Sequence, residues 1–207
     1  MGMPVHKVFI SYHHANDQYY KNYLVWMGEY HRIFIDQSVD TGDISDNLSD
    51  QAIREKIRDD YLRDSTVTIV LVGQETKGRK HVDWEIYSSM IDGKVNKKSG
   101  ILVVNLPVIE PYNSIYVCHS GEKEAVYPEI HVWEDISSWS EYERRYPYAP
   151  NRIVDNLVKT EARVSITEWS RIKDKPKNLR FLIDATFNDR AKCEYDLRRP
   201  MRRKNSR

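Results

Sequence analysis

The run Thr66-Val67-Thr68-Ile69-Val70-Leu71-Val72 constrains the fold of this chain more than any other segment. Its apolar and β-branched residues follow one another almost without interruption, and Gly73 ends the run. Such a run is typical of a strand that is buried on both faces, as in the centre of a parallel sheet. Because both faces must then be covered, the run predicts an α/β fold with helices on each side of a sheet.

Shorter apolar runs of the same character occur elsewhere, with helical patterns between them. In chain order the runs are Val8–Ile10, Ile33–Ile35 and Ile101–Val104. The helical patterns lie behind Asn16, from Ile53 to Tyr61, and from Val82 to Met90. This alternation predicts a parallel sheet of about five strands flanked by helices, with right-handed crossovers. Ile130–Trp133 is the candidate for the fifth strand.

Length and charge indicate one domain followed by a basic tail. The 207 residues suit a single domain, which we assign to residues 1–160, with an extension over residues 161–207. Six of the ten residues from Arg198 to Arg207 are Lys or Arg, and none is acidic. Because the whole chain has a formal net charge of +1, residues 1–197 carry a net charge of −5. We interpret the tail as a solvated, disordered terminus. Contact with a nucleic acid or an acidic partner is the less favoured alternative.

The sequence does not predict export, a membrane anchor or a metal centre. The first residues lack the apolar stretch of a signal peptide, and the apolar run around Ile69–Val72 is too short to span a bilayer. Cys118 and Cys193 have no metal-ligand spacing and fit free thiols in a reducing cytoplasm. His13-His14 has no third ligand at a convincing spacing, so we expect no metal site. We therefore expect a cytoplasmic protein without a membrane partner.

Polar segments are expected to meet at one edge of the sheet, because ligands of open parallel sheets bind beyond the carboxyl ends of the strands. These segments are Ser11–His14, Asp36–Asp43 and Gln74–Glu85. On a helical wheel Glu85 lies about 60° from Val82, at the margin of the apolar face of its helix. A carboxylate there would be partly desolvated. The residues alone leave open whether Glu85 is functional or is an ordinary acid in a first helical turn.

Two stretches of the sequence resemble TIR domains. Val8–Tyr12 looks like their first strand and loop, and Thr76–Ile86 resembles the "T..R.WV.WEI" pattern of the bacterial and archaeal TIR-like family that includes the Thoeris anti-phage sensor. Ser65–Gly73 also fits the central strand of that family, and together the matches cover roughly residues 5–105. The resemblance implies a flavodoxin-like, TIR-like sheet. His81 departs from the pattern, which has an aromatic residue four positions before the glutamate, and this changes the expected shape of the pocket.

The resemblance implies an enzyme that consumes NAD. Members of the family resemble NAD glycohydrolases and cyclases, which cleave the nicotinamide–ribose bond and pass the ADP-ribosyl group to an internal or external acceptor. By the motif match, Glu85 takes the place of the catalytic glutamate. A carboxylate suits the reaction, because breaking an N-glycosidic bond develops oxocarbenium character on the ribose. NAD is then the substrate, and no separate cofactor is expected.

Further residues near the matched motifs are expected to bind the dinucleotide. They are Ser11, Tyr12, His13, Asp36, Arg79, His81 and Trp84. Structural roles remain as alternatives, since Trp84 could pack against a neighbouring loop and Asp36 could bind a loop backbone. The sequence has no GxGxxG motif and no P-loop, so the phosphates would be held by loop backbone groups and by cations such as Arg79 or Lys80. These two cations could equally belong to a solvated basic loop.

The sequence therefore supports two hypotheses on function. The first is an enzyme of anti-phage defence that makes a signal derived from ADP-ribose, either a cyclic isomer or a conjugate. Its expected partners are NAD, a phage-derived trigger protein, a separate effector that receives the signal, and further copies of the chain. The alternative is a TIR-like interaction module without catalysis, because a fold does not determine a function. A phosphoacceptor regulator is not favoured, because Gly73 ends the strongest strand where an aspartate would be needed.

Overall fold

The computed structural model describes residues 5–38, 48–93, 96–112 and 114–206. Its strands are β1 (His6–Ser11), β2 (Phe34–Asp36), β3 (Val67–Val72), β4 (Gly100–Asn105) and β5 (Ser165–Glu168). They form one parallel sheet in the order β2-β1-β3-β4-β5. This order is that of flavodoxin-like doubly wound sheets, and it confirms the predicted fold class.

Helices cover both faces of the sheet. They are α1 (His14–Tyr30), α2 (Asp50–Lys56), α3 (Lys80–Met90), α4 (Glu122–Val126), α5 (Trp139–Arg145), α6 (Asn151–Val158), α7 (Trp169–Ile172) and α8 (Pro176–Asp189). α2 continues into a π-helical turn over Ile57–Tyr61, and a 3₁₀ turn over Thr76–Gly78 precedes α3. Within the described ranges, no helix combines the length and the apolar character needed to cross a bilayer.

The central strands β3 and β4 organise the core. All of their residues are buried, and successive side chains point to opposite faces of the sheet. Ile69 and Leu71 pack on the face covered by α1 and α8, while Val70 and Val72 pack on the face covered by α3 and α6. The uninterrupted apolar run in the sequence thus reflects a strand with helices on both sides.

The fifth strand differs from the prediction. Ile130–Trp133 forms no strand, and Val132 is 83% exposed. The fifth strand is instead β5, which pairs with β4 at the edge of the sheet. Its sequence, Ser-Ile-Thr-Glu, holds one large apolar residue, so no hydrophobic run reveals it. Because β5 completes the sheet, the segment after residue 160 contributes to the same fold as the residues before it.

The C-terminal tail also differs from the predicted disordered terminus. Met201 is 5% exposed and packs with Phe9 and Trp84 in a small core cluster beside α3. Further along, the backbone N–H of Ser206 donates a hydrogen bond of 3.0 Å to the carbonyl of Gly78. These contacts hold the tail against the body of the protein and bring its end to the start of α3.

Candidate active site

A cleft of about 320 Å³ opens at the carboxyl edge of the sheet, between the β1–α1 loop and the start of α3. The two segments meet because β1 and β3 are adjacent parallel strands that end at the same edge. The described residues that line the cleft are Tyr12, His13, His14, Ala15, Arg79, His81, Val82, Glu85 and Asn205. Two of the polar segments predicted to converge therefore meet here. Of the third predicted segment, residues 39–43 lie outside the described residues.

Glu85 occupies the floor of this cleft, in the second turn of α3. Its side chain is 2% exposed, and Oε2 accepts a hydrogen bond of 2.6 Å from the hydroxyl of Ser11. Val82 and Ile86, on either side of it in the helix, pack into the core and fix the position of the helix. A buried carboxylate that is held by a fixed donor is preorganised to stabilise positive charge on a bound molecule. Two other hollows, about 330 Å³ beside Trp169 and about 440 Å³ beside Trp133, have no buried carboxylate among their described lining residues.

The β1–α1 loop forms the opposite wall. The ring of Tyr12 stacks on that of His14 with centroids 4.4 Å apart, and the Tyr12 hydroxyl donates to Oε1 of Gln18 at 2.7 Å. Burial lowers the pKa of His13, and the neighbouring Arg79 and His14 lower it further. The His13 imidazole is therefore neutral at pH 7. This wall offers aromatic faces and a neutral imidazole to a ligand.

Arg79 sets the charge at the mouth of the cleft. It immediately precedes α3 and forms an ion pair with Glu75, whose carboxylate also lies 4.0 Å from Nε2 of His13. Nε of Arg79 is buried, and among the described residues it has no hydrogen-bond partner. Buried donors normally find an acceptor, and a guanidinium N–H binds anionic oxygens most strongly. The Arg79 side chain as a whole is 27% exposed, so the residue places a cation, paired with Glu75, at the cleft.

The structure brings most of the predicted site residues together. Those that line the cleft are Tyr12, His13, Arg79, His81 and Glu85. Ser11 lies behind Glu85, fully buried, and contacts it without facing the cleft.

Trp84 and Asp36 differ from the prediction as binding residues, since neither is among the described residues that line the cleft. Trp84 is fully buried, and its Nε1 donates a hydrogen bond of 2.7 Å to the carbonyl of Arg202. Asp36 pairs with Lys21 at 3.1 Å and accepts hydrogen bonds from the backbone and the hydroxyl of Ser38. Both side chains therefore make the structural contacts that the sequence left as alternatives.

Asn205 is the cleft residue that the sequence did not reveal. Its Oδ1 accepts a hydrogen bond of 3.0 Å from the backbone N–H of Lys80, the first residue of α3. This contact satisfies a free N–H at the helix start and places Asn205 in the cleft wall. A single asparagine within a basic tail carries no signal for such a role, because its position depends on contacts 125 residues away in the sequence.

Comparison with known proteins agrees with the motif and with the fold. Residues 9–110 match the family model described as Thoeris protein ThsB, TIR-like domain. The matched segment contains Ser11, Arg79 and Glu85, and it leaves out Asn205. No protein of curated function matches the chain.

Proposed function

Because residues 9–110 form a TIR-like domain of the Thoeris ThsB family, which indicates a role in Thoeris anti-phage defence, we propose that this chain is an enzyme that cleaves the nicotinamide–ribose bond of NAD. The product is a signal derived from ADP-ribose, either a cyclic isomer or a conjugate. The observation that carries the proposal is Glu85, a buried carboxylate that Ser11 holds in the floor of the cleft.

Glu85 acts by stabilising the ribose while the bond breaks. Oxocarbenium character develops on the sugar as the nicotinamide departs, and a carboxylate at short range lowers the energy of that charge. The nicotinamide is cationic while attached and leaves as a neutral molecule, so no general acid is required. Ser11 is a positioning residue in this scheme, since its hydroxyl keeps Oε2 of Glu85 in one orientation.

The walls of the cleft support NAD as the substrate. A volume of about 320 Å³ is near the lower end of ligand pockets, which span about 300–1,000 Å³, and it suits the nicotinamide riboside half of NAD. The stacked rings of Tyr12 and His14 offer an aromatic surface to the planar nicotinamide. The partly exposed guanidinium of Arg79 is the candidate cation for an oxygen of the diphosphate.

The family match also supports a place for this enzyme in a relay. We propose that a phage-derived protein triggers the activity and that a separate effector receives the product. NAD is the substrate, and the reaction uses no further cofactor in this scheme.

The proposal is tested by incubating the purified full-length protein with NAD, with and without lysate of phage-infected cells, and analysing the nucleotides by mass spectrometry. The wild type is expected to release nicotinamide and to form an ADP-ribose-derived product. Glu85→Gln keeps the size of the side chain and removes its charge, so turnover should disappear while the circular dichroism spectrum stays unchanged. Glu29→Gln, at an exposed position of α1, is the charge-matched control and should retain wild-type turnover.

A folded Glu85→Gln variant that retained turnover would contradict the role of Glu85. A wild type without product under both conditions would favour the second candidate, a TIR-like interaction module without catalysis.

The outer face of α1 supports that candidate, since Tyr19, Trp26 and Tyr30 are 67%, 51% and 71% exposed. Their rings form a continuous row through Tyr23. Exposed aromatic surfaces of this kind are typical of protein contacts, including contacts between copies of one chain.

A further inference from the structure

A second cluster of reactive side chains lies at the opposite edge of the sheet from Glu85. Cys118 and His119 belong to the segment that leads into α4, and Glu122 is the first residue of that helix. Two contacts locate the cluster. Ser165, the first residue of β5, lies beside Glu122. Thr186 of α8, whose side chain contacts His119, packs through its carbonyl against Gly100, the first residue of β4. The cluster is therefore placed where the parallel strands begin, whereas the cleft of Glu85 is placed where they end.

Three different donor atoms converge in this cluster. Sγ of Cys118, a ring nitrogen of His119 and a carboxylate oxygen of Glu122 all lie within 4.8 Å of one another. Thiolate, imidazole and carboxylate are the ligand types that zinc takes in proteins. Ligand atoms around a tetrahedral zinc ion lie about 3.5 Å apart, so small side-chain movements would complete the geometry.

Glu122 is the most deeply buried member of the cluster. It is fully buried, and its Oε2 accepts hydrogen bonds from the backbone N–H groups of Cys118 and His119 at 3.2 and 3.0 Å. Among the described residues, Oε1 has no hydrogen-bond partner and no Lys or Arg forms an ion pair with Glu122. The Ser165 hydroxyl lies near the carboxylate and favours its charged form. A buried carboxylate oxygen without a partner is costly, and a metal ion would remove that cost.

The ring of His119 is held by a carboxylate, as the rings of many metal-binding histidines are. Its Nδ1 lies 2.8 Å from Oδ2 of Asp189, which in turn pairs with Arg163 at 3.2 Å. A carboxylate on one ring nitrogen fixes the imidazole and directs the other nitrogen to a metal in many metal sites. That other nitrogen, Nε2, forms a hydrogen bond of 3.3 Å with the hydroxyl of Thr186, which a metal ion would replace.

We propose that Cys118, His119 and Glu122 bind a divalent metal ion of the zinc type, which fastens the segment before α4 to the first residue of that helix. The mixed sulfur, nitrogen and oxygen ligand set favours zinc over magnesium or calcium, which take oxygen ligands. On binding, the Cys118 thiol releases its proton to solvent, so the thiolate and the Glu122 carboxylate together balance the two positive charges of the ion. Because the site lies at the edge of the sheet away from Glu85, it goes beyond the NAD-cleaving activity proposed above.

The test uses the full-length protein, expressed without a histidine tag, equilibrated with Zn²⁺ and passed through gel filtration before metal analysis. The expected result is about one zinc ion per chain, which a chelator removes with a fall in melting temperature. Titration with Co²⁺ should give the near-ultraviolet band of thiolate-to-cobalt charge transfer. A protein that leaves the column without metal, or a cobalt complex without the thiolate band, would overturn the proposal.

The two cysteines provide a matched pair of variants. Cys118→Ser should lower the bound zinc about tenfold or more and abolish the thiolate band. Cys193→Ser removes a buried thiol that is not in the cluster, and it should leave both signals unchanged. Glu122→Gln keeps the shape of the ligand and should also lower the zinc content, which provides a second measurement if Cys118→Ser does not fold. Wild-type zinc content in both Cys118→Ser and Glu122→Gln would refute the site.

Discussion

The hydroxyl of Ser11 donates a hydrogen bond of 2.6 Å to the carboxylate of Glu85, although 74 positions separate the two residues in the sequence. Ser11 is the last residue of β1 and is in register with Val70 in the neighbouring strand β3. The chain leaves β3 at the same edge of the sheet and turns into α3, which returns Glu85 to the end of β1. The doubly wound topology therefore brings the proposed catalytic carboxylate and its hydrogen-bond donor together from two distant segments.

Loss of the Ser11 hydroxyl should slow the reaction more than it weakens substrate binding. Ser11→Ala frees the Glu85 carboxylate to rotate, and a hydrogen bond to a charged group is worth about 1.5–3 kcal/mol. We expect kcat for NAD cleavage to fall about 10- to 100-fold with KM nearly unchanged. Steady-state kinetics under conditions in which the wild type is active provide the measurement.

Ser88→Ala is the matched control for this variant. Ser88 is also a fully buried serine, three residues after Glu85 in α3, and its hydroxyl has no hydrogen-bond partner in the described part of the chain. Its removal should leave kcat unchanged. Equal kinetics for Ser11→Ala and Ser88→Ala would argue against a positioning role for Ser11.

Substitution of Trp84 should affect stability and not substrate binding. Trp84→Phe leaves the carbonyl of Arg202 without its donor and opens space beside Met201, at a cost of about 2 kcal/mol in the free energy of unfolding. KM for NAD should stay at the wild-type value, because Trp84 does not line the cleft. Chemical denaturation of this variant is best compared with Trp26→Phe, at a position that is 51% exposed, where a change below about 0.5 kcal/mol is expected. A raised KM in a stable Trp84→Phe variant would show that Trp84 contributes to binding NAD.

The central part of the fold and the position of Glu85 could be predicted because both depend on local sequence. The apolar runs of β1, β3 and β4 are continuous, and the helical spacing after Arg79 places Glu85 beside the buried face of α3. Parallel topology then determines which loops meet at the carboxyl edge.

The remaining features could not be predicted because they depend on contacts between distant residues. β5 is a short edge strand with one large apolar residue, and only its pairing with β4 identifies it. The basic tail has the composition of a disordered segment, but Met201 and the backbone of Arg202 are fixed by Trp84. Trp84 itself stands in the middle of the motif, and the sequence cannot show that its ring faces the tail instead of the cleft.

The buried ion pair between Arg152 and Asp83 should be essential for holding the tail. Arg152 is fully buried, and its Nε and Nη2 donate to the two carboxylate oxygens of Asp83 at 2.9 and 3.1 Å. Its guanidinium also donates hydrogen bonds to the backbone carbonyls of Arg199 and Pro200 in the tail. Arg152→Met leaves the Asp83 carboxylate buried without its cation, which should cost about 3–5 kcal/mol in the free energy of unfolding. Urea denaturation gives the measurement.

Two further variants separate the ion pair from general effects of charge removal. Arg198→Met removes an arginine whose side chain is 92% exposed and which pairs with Asp196, so the expected loss is below about 1 kcal/mol. The double variant Asp83→Asn with Arg152→Met removes both charges and should be more stable than Arg152→Met alone. Similar losses for Arg152→Met and Arg198→Met would show that the buried pair contributes no more than a surface pair.

The free energy of unfolding should fall as the pH rises through the range in which Asp17 ionises. Asp17, in the first turn of α1, is 2% exposed, its carboxylate faces Gly73 at the end of β3, and burial raises its pKa to about 6. Since the unfolded chain titrates near 3.8, the folded state binds the proton more tightly, and stability is lost between about pH 4 and pH 6. Asp17→Asn removes this loss, so the variant should exceed the wild type by about 1–3 kcal/mol at pH 8 and by less at pH 5. Urea denaturation at the two pH values provides the measurement, and Asp64→Asn, at an exposed position, is the control. If Asp17→Asn raised the free energy of unfolding equally at both pH values, ionisation of Asp17 would not be the cause.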